Sequence, residues 1–296
     1  METGSAAIVV HGGAGSGPEL REACENAARI GLTVLGDTAN PLDAAVRSVV
    51  AMEDDGRFNA GSGSVFCLDG TSIEMDAAVM HSNGTLGAVA CVQRVRNPVL
   101  VARAVSDTPH WMLAGDGAER FARTCGFAEH YAPSADARAH FSDMMAGMAV
   151  RSDKDALAPF KLHWNYEISW EEALKRHGSG TVGAVARDGR GNFAVATSTG
   201  GCTPALLGRV GDTPIVGCGF YAGSLGAIAA TGIGEYIVRE TLARTVYQWL
   251  EQGVPLQAAL DRGIALFKDD ISVGLIGLTD TEVARSANRP MATAML

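Results

Sequence analysis

The stretch His177-Gly178-Ser179-Gly180-Thr181-Val182-Gly183-Ala184-Val185-Ala186 decides how this chain is read. A flexible Gly/Ser run passes there directly into an apolar segment, residues 181–186, with the character of a β-strand. The turn sequence Asp188-Gly189-Arg190-Gly191 and a second strand, residues 193–197, follow at once. A break of the Gly180–Thr181 bond would make Thr181 a new amino terminus at the mouth of the first strand. A terminal threonine holds a hydroxyl nucleophile and an amine base in one residue, a minimal apparatus for acyl transfer.

On the N-terminal side, residues 6–10 read as a strand and His11-Gly12-Gly13-Ala14-Gly15 as a Gly-rich turn. Pro18 opens a helix of roughly four or five turns, and Asn40-Pro41 repeats the start signal. Leu42, Ala45, Val46 and Val49 mark one face of that second helix. Residues 64–68, 72–80 and 86–95 have strand character, with Asp69-Gly70 and Asn83-Gly84 as hairpin turns. Helix is predicted from 98 to about 122, and the text from there to Gly180 is irregular. Two more helices are predicted over 234–250 and 255–267, then two strands over 272–278 and 282–286. Hairpin-linked strands and helices in consecutive pairs argue against a parallel βαβ sheet. They favour an antiparallel sheet sandwich covered by helices.

Composition narrows the function. The chain has 296 residues, of which 47% are apolar and 19% charged, enough for a large core and too apolar for disorder. Its net charge of −9, with no lysine/arginine cluster, argues against a nucleic-acid partner. Cysteines 24, 67, 91, 125, 202 and 218 form no CxxC pair and read as reduced thiols of a cytoplasmic protein. No signal peptide and no membrane span is expected. A Gly-x-Ser-x-Gly elbow, a Walker A loop and a dinucleotide fingerprint are all missing from the sequence. The seven histidines lack the paired spacing of zinc ligands, so no metal site is expected from them.

Four further segments carry candidate chemistry. Phe58-Asn59-Ala60-Gly61-Ser62-Gly63-Ser64 by itself is a Gly-rich loop before a strand. Thr197-Ser198-Thr199-Gly200-Gly201 ends the strand opposite Thr181, which puts the Thr199 hydroxyl within reach of that nucleophile. Gly208-Arg209-Val210-Gly211-Asp212-Thr213-Pro214 sets a cation and an anion three residues apart. Such a pair is either ordinary loop charge or a clamp for an amino-acid zwitterion, guanidinium on carboxylate and carboxylate on ammonium. Thr231-Gly232-Ile233-Gly234-Glu235 is a helix start, or a hydroxyl and an N–H aimed at a developing oxyanion.

In this order these segments, with His11-Gly12-Gly13-Ala14-Gly15 and the Thr181 strand, resemble the plant-type asparaginase and isoaspartyl peptidase family of N-terminal nucleophile hydrolases. The resemblance implies a single α+β domain over residues 1–296, a four-layer αββα sandwich. It implies self-cleavage at Gly180–Thr181 into subunits of residues 1–180 and 181–296. Thr181 would attack the side-chain amide of asparagine or of a β-aspartyl dipeptide and release aspartate. Thr199 would orient it, Thr231 and Gly232 would form the oxyanion site, and Asn59 would support the nucleophile. Arg209, Asp212, Gly232 and Gly234 would bind the substrate. No cofactor is implied, but the family often holds a structural sodium in the loop that is here Met52-Glu53-Asp54-Asp55-Gly56-Arg57-Phe58, before Asn59-Ala60-Gly61. Asp55-Gly56-Arg57 departs from the family's more apolar, proline-containing pattern, and Ile233 stands where threonine is frequent. Assembly as a homodimer of processed units is a further implication. Glycosylasparaginase activity and an unprocessed binding protein are the competing readings.

Overall fold

The first strand, β1 (Ala7–Ala14), runs on through the His-Gly-Gly sequence that reads as a turn. Gly13, at φ 110°, absorbs a bulge between His11 and Ala14, so pairing with the last strand continues past it. The computed structural model describes residues 5–148, 168–169, 172–173 and 180–296. His177-Gly178-Ser179 and residues 149–167 of the irregular stretch lie outside them.

After a 3-10 turn at Pro18–Leu20 come α1 (Arg21–Thr38) and α2 (Pro41–Asp55). The Asn40 side chain caps α2 by accepting the Leu42 N–H at 3.0 Å, with Pro41 in the first turn, as its sequence predicts. Strands β2 (Met75–His81) and β3 (Leu86–Val92) form the expected hairpin through Asn83-Gly84. Residues 64–68, by contrast, join no sheet. The Asp69-Gly70 turn does form, with the Asp69 carboxylate accepting the Thr71 and Ser72 N–H groups at 3.0 and 2.8 Å, but its arms remain loop.

The single helix predicted over 98–122 is three elements: α3 (Pro98–Val105), β4 (Met112–Ala114) and α4 (Gly115–Thr124). Pro109, with no N–H and a fixed φ, falls where the helix would have to continue. Next come α5 (Ala135–Gly147), the hairpin strands β5 (Val182–Arg187) and β6 (Phe193–Thr199), and then β7 (Phe220–Gly223) and β8 (Gly226–Gly232). The helix predicted over 234–250 is split into α6 (Gly234–Glu240) and α7 (Leu242–Glu251) by Thr241, which is left-handed at φ 43°. Helix α8 (Leu256–Ala265) precedes β9 (Val273–Thr279), β10 (Val283–Ala287) and β11 (Met291–Met295).

Two sheets result, one in the order β11-β1-β5-β6-β2-β3-β4 and one in the order β10-β9-β8-β7. All pairings are antiparallel except β3 with β4. The period of two along each strand sorts the side chains. Ile8, Val10, Ala184 and Ala196 pack with α1, α2 and α3, whereas Val9, Val185, Phe193 and Val195 meet Phe220, Ala229 and Ile276 of the second sheet. On that sheet Ile228, Ala230 and Leu275 pack with Ile237, Leu242, Val246 and Leu260 of α6, α7 and α8. Each large side chain so buried contributes about 1.5–3 kcal/mol. No helix among the described residues is long and apolar enough to cross a membrane.

One carboxylate lies inside this core. Glu53 on α2 is fully buried, and its Oε1 accepts from Ser198 Oγ at 2.7 Å and Val99 N–H at 3.0 Å. Burial nevertheless pushes its pKa up from 4.5 to about 8. Between those values the folded chain keeps a proton that the unfolded chain has lost, so stability falls as pH rises through the window. Glu53→Gln is expected to gain stability relative to the wild type from pH 5 to pH 8, read as a widening gap between urea midpoints.

Candidate active site

Thr181 stands one residue before β5, only 5% exposed. Val182 pairs with Ser198, so Thr181 faces Thr199 across the hairpin, and Thr199 in turn pairs with Asp76 of β2. The other sheet approaches from the opposite side. The Thr231 hydroxyl, at the end of β8, accepts the Thr181 N–H at 3.3 Å and the Ala14 N–H at 3.2 Å, and it lies 3.5 Å from the Thr181 carbonyl oxygen. Gly180 lies against the bulge of β1, since a side chain on Gly13 would come within 2.8 Å of the Gly180 Cα.

The Thr181 hydroxyl itself meets the Thr213 hydroxyl, at 3.3 Å. In this continuous chain the Thr199 hydroxyl accepts the Gly201 N–H, at 3.1 Å. Asn59 braces the same strand end: its Nδ2 donates to the Gly201 carbonyl at 2.7 Å, and its own carbonyl accepts the Gly200 N–H at 3.0 Å. The Asn59 Oδ1 also accepts the Val65 N–H, at 3.1 Å, which ties the Gly-rich loop to the site.

Asp212 precedes Thr213 and is 3% exposed. Its Oδ2 is buried with no hydrogen-bond partner, and burial pushes the carboxyl up to about 7 despite the nearby Arg209. Arg209 is held by Glu235 through two bonds, Nε to Oε1 at 2.9 Å and Nη2 to Oε2 at 2.8 Å. A guanidinium has five N–H groups, so the pair leaves donors for a second carboxylate. Behind the loop, Asp76 accepts the Cys91 N–H at 2.8 Å and is pushed up to about 6 by burial. His11, buried beside the Thr181 backbone, is driven down to about 3 by desolvation and is neutral near pH 7. Among the described residues no group of three His, Cys, Asp or Glu side chains is placed to hold a metal ion.

Residues 4–294 match the protein family described as Asparaginase. The chain belongs to this family. It is 41% identical over 283 residues to an isoaspartyl peptidase/L-asparaginase of Danio rerio, covering 92% of this chain and 84% of the fish protein. The Homo sapiens isoaspartyl peptidase/L-asparaginase is 38% identical, over 92% of this chain and 85% of its own. A plant-type L-asparaginase of Pyrococcus furiosus is 38% identical, over 88% and 84% respectively.

Sequence reading assigns no role to Thr213, Glu235 or Asp76. Thr213 and Glu235 lie inside segments singled out for other residues, so a hydroxyl and a carboxylate there were available as signals. Asp76 sits in a strand and is revealed only by the register that sets it beside Thr199. Ile233 is buried with Cys202, Ala205 and Ile271, an apolar wall next to the charged pair. Gly234 is held to its size: a Cβ there would lie 2.9 Å from both Arg209 Nη2 and Asp212 Oδ1. Gly234→Ala is therefore expected to force these two groups aside and cost about 1–3 kcal/mol, measured by urea unfolding.

Proposed function

We propose that this chain is a self-processing amidohydrolase that cleaves the side-chain amide of L-asparagine and of β-aspartyl dipeptides through an acyl-enzyme on Thr181. The relatives' names give the reaction class. The observation that carries the reading is the contact of the Thr181 hydroxyl with Thr213, whose neighbour Asp212 has a buried, unpartnered oxygen. The residue that the nucleophile touches is thus the chain neighbour of an ammonium acceptor, with Arg209 three residues before that acceptor. A zwitterion with an amide two carbons from its α-carbon matches that set.

Maturation begins with the Thr181 Oγ attacking the Gly180 carbonyl carbon. The C–N bond breaks, the Oγ proton passes to the departing nitrogen, and water hydrolyses the ester, leaving a free α-amine. That amine has a reference pKa of about 7.7–8.0 and takes the Oγ proton in each later turnover. The carbonyl carbon of the substrate side chain then bonds to Oγ, and its nitrogen departs with that proton. Water releases aspartate. Thr231 and Gly232 face the developing oxyanion, and one such donor is worth about 2.7–4 kcal/mol. Thr199 orients Thr181 once the new terminus relaxes, Asn59 keeps the strand end in place, and Gly232 and Gly234 line the substrate.

The packing on both faces of both sheets supports a four-layer αββα sandwich of the N-terminal nucleophile type, one domain over 1–296. A structural sodium in the segment 52–61, the end of α2 and the loop after it, would be held by backbone carbonyls; those of Gly56 and Phe58 both pack closely against Gly63. Asp55, engaged by Arg57, is not needed in such a ring of carbonyls. The ion would stiffen the loop that carries Asn59 and takes no part in the chemistry. Six free cysteines fit a cytoplasmic enzyme, and the processed units pair as a homodimer acting on small substrates, with no nucleic-acid or membrane partner.

Denaturing electrophoresis of aged protein is expected to give fragments of residues 1–180 and 181–296, with Thr181 found by N-terminal sequencing. Thr181→Ala stays a single inactive chain; activity surviving in it would overturn the reading, and an intact chain that only binds aspartate would favour a binding protein. Asp212 must be ionised to hold the substrate ammonium, and its raised pKa means that this form is lost as pH falls through about 7. kcat/KM is therefore expected to fall below pH 7, and a profile flat to pH 5 would exclude Asp212 from that role.

A further inference from the structure

The Thr181 hydroxyl has to act in two different settings. In the mature chain a free α-amine on the same residue takes its proton. In the continuous chain that nitrogen is an amide and no base, so the neighbouring side chains decide how the hydroxyl is aimed at the Gly180 carbonyl. Threonines 199, 213 and 231 bring three hydroxyls to this corner, each with one hydrogen and two lone pairs. Two of them are already committed. Thr231 spends both lone pairs on the Thr181 and Ala14 N–H groups, at 3.3 and 3.2 Å, and its hydrogen faces the Thr181 carbonyl oxygen at 3.5 Å. Thr199 accepts the Gly201 N–H at 3.1 Å and donates to the Gly201 carbonyl at 3.4 Å, so it serves its own turn.

Thr213 is left. Among the described residues its hydroxyl is the one hydrogen-bond partner of the Thr181 Oγ, at 3.3 Å. It is 1% exposed, so water does not compete for that contact. Its backbone is tied to the strands that carry the nucleophile. The Thr197 hydroxyl donates to the Thr213 carbonyl at 3.2 Å, and Thr197 pairs with Gly183 of β5. The Asp212 carbonyl, just before it, accepts the Ile215 and Gly219 N–H groups at 3.0 and 3.1 Å. The scissile peptide is fixed from another side by β1: a Cβ on Gly13 would lie 3.2 Å from the Gly180 carbonyl carbon. Electrophile and hydroxyl partner are thus both held before any cleavage.

Resting on the hydrolase reading above, we propose that Thr213 is the positioning residue of the self-cleavage step. Its oxygen accepts the Thr181 O–H, which turns an Oγ lone pair toward the Gly180 carbonyl carbon. The oxygen–carbon bond forms, the carbon–nitrogen bond breaks, and the Oγ proton ends on the departing nitrogen. Thr213 leaves the step with the proton it brought. Once the amine is free it takes the Oγ proton itself and Thr199 takes over orientation, so the two hydroxyls serve in turn. Loss of the Thr213 hydroxyl therefore weighs more on maturation than on turnover.

The test makes the full chain by pulse-labelled cell-free synthesis and follows its conversion to fragments by denaturing electrophoresis. Wild type is compared with Thr213→Ser, Thr213→Val and Thr213→Ala. Val and Ala both lack the hydroxyl but differ in volume, and both should mature about tenfold more slowly or worse, the scale of one buried hydrogen bond. Ser keeps the hydroxyl and should mature at close to the wild-type rate. In the chains that have matured, kcat/KM for asparagine should fall by a much smaller factor than the maturation rate. A Val variant that stays whole is the extreme of the expected result as long as Ser still matures. The proposal is overturned by Val maturing like the wild type, which would leave a slow Ala to a cavity effect. It is overturned equally by Ser as slow as Val, or by equal losses in maturation and kcat/KM, the mark of a general distortion of the corner. A wild type that never cleaves overturns the hydrolase reading instead.

Discussion

The site depends on how closely two sheets approach at one corner. Stacked sheets lie about 10 Å apart, a distance set by the side chains between them. Here alanines 78, 88, 227 and 229 share that layer with Val9, Val185 and Phe193. Small residues draw the end of β8 down onto the mouth of β5, and Thr231 meets Thr181 as a result. A larger residue at 229 would separate the two threonines before it touched either. The geometry of this corner is thus a by-product of core volume, and the glycines of β1 let a third backbone into it.

Charge is distributed unevenly around that corner. Arg209 has Glu235 as its partner, while Asp212 and Asp76, both buried, lie close enough to influence it or be influenced by it. One guanidinium among three carboxylates leaves this corner short of positive charge. An α-ammonium at Asp212, as proposed above, would correct the shortage, while an α-carboxylate would use the guanidinium donors that Glu235 leaves over.

Much of this was legible in the chain. The strand boundaries at Thr181 and the cap at Asn40-Pro41 follow from local pattern, because Gly-rich turns and N-caps act within a few residues. Arg209, Asp212, Thr231 and Gly232 were each readable either as ordinary loop and helix-start residues or as chemistry, and only the order of the motifs singled them out. What local pattern could not give was set from far away. β11 was missed because its partner is β1, at the other end of the chain; β7 is only four residues long, and β8 is an alanine- and glycine-rich strand buried almost throughout, with no alternation. The His11 sequence reads as a turn until β11 arrives to pair with it. Asp76 becomes visible as a site residue only through register.

The order of the large sheet, β11-β1-β5-β6-β2-β3-β4, has a consequence for a chain cut after Gly180. β1 belongs to the first fragment, yet both its neighbours, β11 and β5, belong to the second. The two pieces are interleaved like fingers of clasped hands, with a second seam where β6 meets β2. They would share the ladders of β1 with β11 and β5 and of β2 with β6, and with them the core on both faces of the large sheet. A nick there would free a terminus without freeing a subunit, and separating the pieces would take denaturation of the large sheet rather than dilution.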